Sequence, residues 1–273
     1  MPVLGRAAVL GRPIAHSLSP VLHRAAYDAL GLAWTYDAID CGADQLGAVL
    51  AARAGWAGFS CTMPLKHAAL DIAASVRPLA AAVGSANTLL PGPRGWLADN
   101  TDVPGIVAAL REHGREAART VTVLGAGGTA QAVLGTLREL GVPGCTVLVR
   151  DLARTDALRD AADRLGVEAQ VRTIDVGEAA LHAQLVVSTL PAGAADLVAS
   201  RRWTPDQTVL DVVYAGWPTA LARAAAGGGA SVISGALLLL HQAAAQVELM
   251  TGSPAPVEAM RAALRAAVPD CGV

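Results

Sequence analysis

Apolar positions along the chain fall into short continuous runs and longer helically spaced stretches, and their alternation outlines an α/β protein. Val3 to Leu10 is a short apolar run ending in the turn Gly11-Arg12-Pro13, the pattern of a buried strand. A polar loop runs to Ser19. Pro20 then stands where a first helical turn accepts proline, and helical spacing continues to Leu30, where Gly31 stops it. Trp34 to Asp40 alternates as a strand, Gln45 to Arg53 fits a helix, and Trp56 to Thr62 is another short strand. Strand, helix and strand at this pace predict an α/β layer.

The second half repeats the pattern more sharply. Thr120 to Leu124 is a buried strand, Gly125-Ala126-Gly127-Gly128-Thr129-Ala130 follows at once, and Gln131 to Leu140 is a helix stopped by Gly141. Thr146 to Val149, Leu185 to Ser188 and Val209 to Val213 continue a βαβ series, which predicts a parallel doubly wound sheet. Leu237 to Met250 and Pro256 to Val268 are helical, with apolar faces that need a partner. They are expected to fold back onto the first domain. That divides the chain into a discontinuous domain, 1–104 with 237–273, and a second domain, 105–236.

Composition fits this division. A chain of 273 residues suits two domains, and 53 % hydrophobic against 16 % charged residues excludes disorder. Aromatics are only 3 % and much of the apolar fraction is alanine, which favours close-packed helices over an all-β sandwich. The net charge is -2 and no basic run occurs, so no nucleic-acid surface is expected. The longest apolar run, Gly235 to Leu240, is far too short for a membrane span, and the first residues lack a signal-peptide pattern. Cys41, Cys61, Cys145 and Cys271 show no metal spacing and read as core thiols of a reduced, cytoplasmic protein. Nothing in the pattern chooses between a monomer and a homodimer.

The sharpest chemical signal is Gly125-x-Gly127-x-x-Ala130 between a strand and a helix, the dinucleotide-binding pattern. Gly125 permits the tight turn, Gly127 lets backbone approach a pyrophosphate, and Ala130 lets helix and strand pack closely. The helix start offers free N–H groups to phosphate. The end of the second strand chooses the nucleotide: an acid there favours NAD, an arginine NADP. Here Arg150, Asp151 and Arg154 supply both. Either the two guanidiniums clamp a 2′-phosphate, or Asp151 pairs with one of them as a surface ion pair. NADP is the preferred reading.

Four polar clusters interrupt the apolar first domain. Ser17 and Ser19, two apart in an extended loop, have hydroxyls able to bind one carboxylate, although Ser19 before Pro20 also suits a helix cap. Thr62-Met63-Pro64-Leu65-Lys66 directly follows a strand, and Ser85-Ala86-Asn87-Thr88 and Asp99-Asn100-Thr101-Asp102-Val103-Pro104-Gly105 come later. Taken singly, each reads as a cap, a turn or a solvated charge.

Together the clusters resemble the shikimate dehydrogenase family. Its Gly-x-Pro-Ile-x-His-Ser-x-Ser-Pro stands at Gly11 to Pro20, its Thr-x-Pro-x-Lys at Thr62 to Lys66, its Asn-Thr-Leu at Asn87 to Leu89 and its Asn-Thr-Asp-x-x-Gly at Asn100 to Gly105. The glycine loop follows, then Ser188 to Pro191, Asp211 to Tyr214 with Pro218-Thr219, and Gly235 with Leu239 and Gln242. The resemblance runs from about residue 9 to 262. It implies reduction of 3-dehydroshikimate to shikimate with NADPH, in aromatic amino-acid biosynthesis. It also implies that Ser17 and Ser19 bind the substrate carboxylate, that Thr62, Asn87, Gln242 and Tyr214 surround the ring, and that Lys66 is the acid/base with Asp102 as partner. On the cofactor side it implies Gly125 to Ala130, Arg150, Asp151, Arg154, Thr189, Val213 and Gly235. The residue types agree: hydride delivery to a ketone develops charge on oxygen, which an ammonium meets, and no zinc ligand set is visible.

Three positions depart from the family. Ser60 stands where asparagine is usual, Val149-Arg150-Asp151 replaces Asn-Arg-Thr, and Leu238 replaces methionine. Asp151 keeps open a quinate/shikimate or aminoshikimate-type paralogue using NAD. A non-catalytic sensor of NADP and a metabolite is the reading from another class, disfavoured because a binder has no need of both Lys66 and Asp102.

Overall fold

The computed structural model describes residues 4–174 and 178–273, so the expected start of the first strand at Val3 lies outside the described residues. Compact folding divides the chain into Met1–Gly105 with Leu239–Val268, and Ile106–Leu238 with Pro269–Val273. The tail is the correction to the expected division. Residues 269–273 group with the second unit, because Gly272 lies against Trp217 and Ser234 there. The boundaries fall inside helices α5 (Asp102–Glu112) and α10 (Gly235–Thr251), two or fewer residues from the expected points.

The first unit is a six-stranded sheet ordered β2-β1-β3-β5-β6-β4. Its strands are β1 (Arg6–Gly11), β2 (Thr35–Asp40), β3 (Gly58–Cys61), β4 (Ser75–Val76), β5 (Thr88–Gly92) and β6 (Gly95–Asp99). β1, β2 and β3 are parallel, whereas β5 runs antiparallel to both β3 and β6. The period of two in β1 sorts the core. Ala8 and Leu10 face one side with Leu46, Leu50, Leu65 and Ala69, from α2 (Leu46–Ala51), α3 (Ala68–Ile72) and the loop before α3. Ala7 and Val9 face the other side with Tyr27 of α1 (Ser19–Ala29), Tyr36 and Met250. α1 also packs on α11 (Val257–Ala267).

The second unit is all parallel, ordered β12-β11-β10-β7-β8-β9. These strands are β7 (Val121–Leu124), β8 (Gly144–Val149), β9 (Glu168–Thr173), β10 (Leu185–Ser188), β11 (Thr208–Asp211) and β12 (Ser231–Ser234). Counted within the unit, the order is two βαβαβ halves meeting at β10 and β7, the doubly wound arrangement expected from the sequence. β7, β10 and β11 are buried at every residue, as a sheet covered on both faces requires. The first turn of α6 (Gly128–Glu139) is the second half of the glycine loop, so this helix starts three residues before the expected Gln131.

Candidate active site

In the first unit one edge of the sheet collects all four polar clusters. The loops at 12–18 and 62–67 follow the ends of the parallel strands β1 and β3. Because β5 is antiparallel, Asn87 precedes its start at that same edge, and Asn100 to Asp102 follow the end of β6 there. Backbone bonds join the loops: Arg12 N–H donates to the Met63 carbonyl at 2.9 Å, Thr62 N–H to Leu10 at 2.9 Å, and Cys61 N–H to Asn87 at 2.7 Å. Gly11 makes this seam possible, since a Cβ there would collide with Thr62 Cγ2.

At the centre Lys66 Nζ donates to Asp102 Oδ2 at 2.5 Å, with side chains only 16 % and 8 % exposed. The other oxygen of Asp102 accepts from Asn87 Nδ2 at 2.9 Å. Asn87 Nδ2 also reaches Thr101 Oγ1 at 2.9 Å and Gln242 Oε1 at 3.2 Å. Its carbonyl oxygen accepts from Thr101 N–H at 2.8 Å, which fixes the amide orientation without appeal to any ligand. Asp102 is the first residue of α5, not a turn residue as its sequence suggested. Asn100 makes that start, because its Oδ1 accepts the N–H groups of Asp102 and Val103 at 3.0 and 3.3 Å. Gly105 sets the approach of α10, since a Cβ on it would lie 2.9 Å from both N and Cβ of Gln242.

Ser17 and Ser19 begin α1 together. Ser19 N–H donates to Ser17 Oγ at 3.3 Å. The N-cap position belongs to Leu18 and carries no side-chain cap bond, so the cap alternative for Ser19 fails: Ser19 is already helical, with its side chain inside the first turn. Ser17 and Thr62 are half-buried and Ser19 is buried. Tyr214 lies in the second unit, and burial pushes its phenol up.

The second unit gathers the nucleotide-type residues at the ends of its parallel strands: Gly125 after β7, Arg150 after β8, Thr189 after β10, Val213 after β11 and Gly235 after β12. Gly125 has φ +103 and lies against Thr189, whose Oγ1 would sit 2.7 Å from a Cβ there. Thr189 N–H and Oγ1 both donate to the Leu124 carbonyl, at 2.9 and 2.8 Å. This is the switch point of the sheet, where such folds bind ligands. Gly127 caps α6 in an ordinary extended conformation, and a Cβ there would meet nothing within 4 Å. Ala130 is fully buried. Gly235 is explained by packing, since a Cβ would collide with the Val212 carbonyl.

Asp151 turns into its own loop. Its Oδ1 accepts Ala153 N–H at 2.9 Å and caps one turn of 3-10 helix, Leu152–Arg154, and among the described residues it pairs with neither Arg150 nor Arg154. Arg150 and Arg154 are exposed on either side of that cap. Among the described residues no group of three or more His, Cys, Asp or Glu is arranged to hold a metal ion.

Sequence reasoning missed Tyr36 and Gln246 behind the site, and it noted Ser60 and Thr101 only as motif positions, without a role in this buried polar network. The signal for one was present: Gln246 lies four residues after Gln242 and so on the same helical face, an amide in an otherwise apolar stretch.

Comparison with known proteins fits this arrangement. The family model of the shikimate dehydrogenase substrate binding domain matches residues 9–89, and that of the shikimate 5'-dehydrogenase C-terminal domain matches residues 236–265. The shikimate dehydrogenase (NADP(+)) of Halorubrum lacusprofundi is 38 % identical, covering 94 % of this chain and 97 % of its own length. Among solved structures, the shikimate dehydrogenase of Mycobacterium tuberculosis is similar with a TM-score of 0.85 and 47 % identity over 96 % of this chain and 99 % of that one. The Thermus thermophilus enzyme, solved with NADP(H) and shikimate, gives 0.83 and 33 % over 97 % and 100 %.

Proposed function

The chain belongs to the shikimate dehydrogenase family, and we propose that it catalyses the reversible NADPH-dependent reduction of 3-dehydroshikimate to shikimate in aromatic amino-acid biosynthesis. The observation that carries the mechanism is the largely buried pair Lys66–Asp102, its carboxylate held by Asn87, whose amide also reaches Gln242, at the same sheet edge as the loops bearing Ser17, Ser19 and Thr62.

Ser17 and Ser19 are the donors for the substrate carboxylate. They stand at the start of α1, where backbone N–H groups also favour an anion. Thr62, Asn87 and Gln242 of the first unit are the partners for the ring hydroxyls, and the family resemblance adds Tyr214. In reduction, Lys66 Nζ gives its proton to the ketone oxygen as negative charge develops there, and in oxidation it takes the hydroxyl proton. Asp102 holds the ammonium in place through Oδ2, while Asn87 prevents the carboxylate from rotating away.

The second unit fits a dinucleotide. Gly127 has no neighbour that demands a glycine, which leaves ligand approach as its use, and Gly125 and Thr189 close the turn beneath it. Ala126, Gly128, Thr129 and Ala130 carry the loop into α6, whose N-terminal end would face the pyrophosphate with the positive end of its dipole. Val213 and Gly235, at neighbouring strand ends, belong to the same edge. Arg150 and Arg154 would hold the 2′-phosphate, and Asp151, engaged as a cap, no longer argues for NAD. When bound, the nicotinamide exchanges hydride with the substrate carbon. Four free, buried cysteines support a reducing, cytoplasmic setting.

Steady-state assays with shikimate and quinate, each against NADP and NAD, test the reading. Shikimate with NADP is expected to give the highest kcat/KM. Preference for NAD, or for quinate, would replace it by the paralogue reading, and tight NADPH binding without turnover by a sensor.

A further inference from the structure

Gln246 is fully buried on α10, one turn beyond Gln242. Its Nε2 donates to the Asn87 backbone carbonyl at 3.1 Å and to Thr88 Oγ1 at 3.0 Å. Its Oε1 accepts from Ser60 Oγ at 2.7 Å, and Ser60 Oγ lies 2.6 Å from the Tyr36 hydroxyl. The direction of every bond follows from one fixed group. The Asn87 carbonyl can only accept, so the nitrogen of Gln246 must face it and the oxygen must face Ser60. Ser60 therefore donates to Gln246, and Tyr36 donates to Ser60. Thr88 Oγ1, having accepted from Gln246, donates to Asn87 Oδ1 at 2.9 Å. That leaves Asn87 Nδ2 facing Asp102 Oδ1, while Lys66 donates to Oδ2.

We propose that Gln246 is a positioning residue for the reaction, gripping Asn87 through its carbonyl and through Thr88 so that the Asp102 carboxylate stays aimed at Lys66. The proposal rests on the shikimate dehydrogenase reading given above. Two features separate it from ordinary filling of the core. Both amide hydrogens of Gln246 are spent on consecutive residues, Asn87 and Thr88, that lead directly into the site, and the amide compensates for position 60. Ser60, paired with Thr88 across β3 and β5, carries a hydroxyl and has no amide to offer the start of β5. Gln246 brings one from the helix instead.

Four variants test this by kcat, KM and the pH profile of kcat with shikimate and NADP. Gln246→Leu is expected to lower kcat about tenfold with both KM values within about twofold, as misaligned chemistry with intact binding requires. Gln246→Glu should add an ionisation to kcat that the wild type lacks. The protonated carboxyl still donates towards Asn87 or Thr88, whereas the carboxylate sets oxygen against oxygen, so activity falls as pH rises through the new group. Neighbouring groups do not mimic this between about pH 6 and 9. Burial pushes Tyr36 well above its ordinary value, holds His23, stacked on Tyr36, down to about 4, and raises Cys61 to about 12, while the wild type is the control for Lys66 and Asp102. The double variant Ser60→Asn with Gln246→Ala moves the amide to β3 opposite Thr88 and should recover kcat relative to Gln246→Ala alone. A folded Gln246→Leu with wild-type kcat and pH profile overturns the proposal. If that variant fails to fold, a Gln246→Glu profile parallel to the wild type does the same. A wild type inactive on shikimate with either nucleotide overturns the functional reading itself, a result distinct from an active wild type indifferent to position 246.

Discussion

Asp151 shows how a single residue changes meaning between sequence and structure. On the page it sits between two arginines and looks like an NAD-selecting acid or a partner for one of them. In the fold its carboxylate accepts Ala153 N–H and finishes a turn, the work a serine or threonine does elsewhere. The residue type was legible, but its direction was not, because a side chain that bonds its own backbone leaves no trace in spacing. On the proposed reading, Arg150 is the residue that would meet the 2′-phosphate. Arg150→Ala is expected to lower kcat/KM for NADP by about tenfold or more, the worth of a charged hydrogen bond, and to leave that for NAD within about threefold. Asp151→Asn keeps a capping oxygen and removes only an exposed charge, so the NADP to NAD ratio should change by less than about fivefold. A large gain in NADP preference in Asp151→Asn would mean that the carboxylate does face the phosphate.

Among the elements, parallel strands and the helices after them were legible because apolar runs and glycine stops mark them. The β5–β6 hairpin and the start of α5 were not. Their residues are the polar motifs themselves, and Asn100 and Asp102 look like turn formers until Asn100 is seen to cap the helix. The crossing of α5 and α10 was equally hidden, since the need for glycine at 105 comes from a residue 137 positions later, Gln242. Gly105→Ala weighs two opposed effects. Alanine gains about 0.5–1 kcal/mol of helix propensity, but a Cβ set 2.9 Å from backbone nitrogen overpacks the crossing at about 1–3 kcal/mol. The clash should win, lowering the urea midpoint and, by pushing Gln242 from Asn87, lowering kcat/KM. An unchanged midpoint with unchanged kinetics would show that the helices slide apart freely.

For the whole molecule, the two-unit division and the doubly wound sheet were readable, and the place of the last five residues was not, because a short tail carries no periodicity. Stability against acid is a property the sequence could not give. His23 is fully buried, stacked on Tyr36, and desolvation lowers its value from 6.5 to about 4, partly opposed by its bond to the Ser19 carbonyl. The unfolded chain therefore takes up a proton below about pH 6.5 that the folded chain refuses until about pH 4. Stability is untouched above that window and falls through it as pH drops, by roughly 3 kcal/mol in all. Urea unfolding at pH 7.5 and 4.5 should show a smaller difference in His23→Gln than in the wild type, and an equal difference would move the acid lability elsewhere. The central claim is that Lys66, aimed by Asp102, moves the proton of a shikimate dehydrogenase reaction. The most direct measurement is kcat of Lys66→Ala at saturating shikimate and NADP, with folding checked by circular dichroism. A loss of at least about a hundredfold in kcat with little change in KM, not rescued by Lys66→Arg, is the predicted result, and a folded Lys66→Ala turning over near the wild-type rate would contradict it.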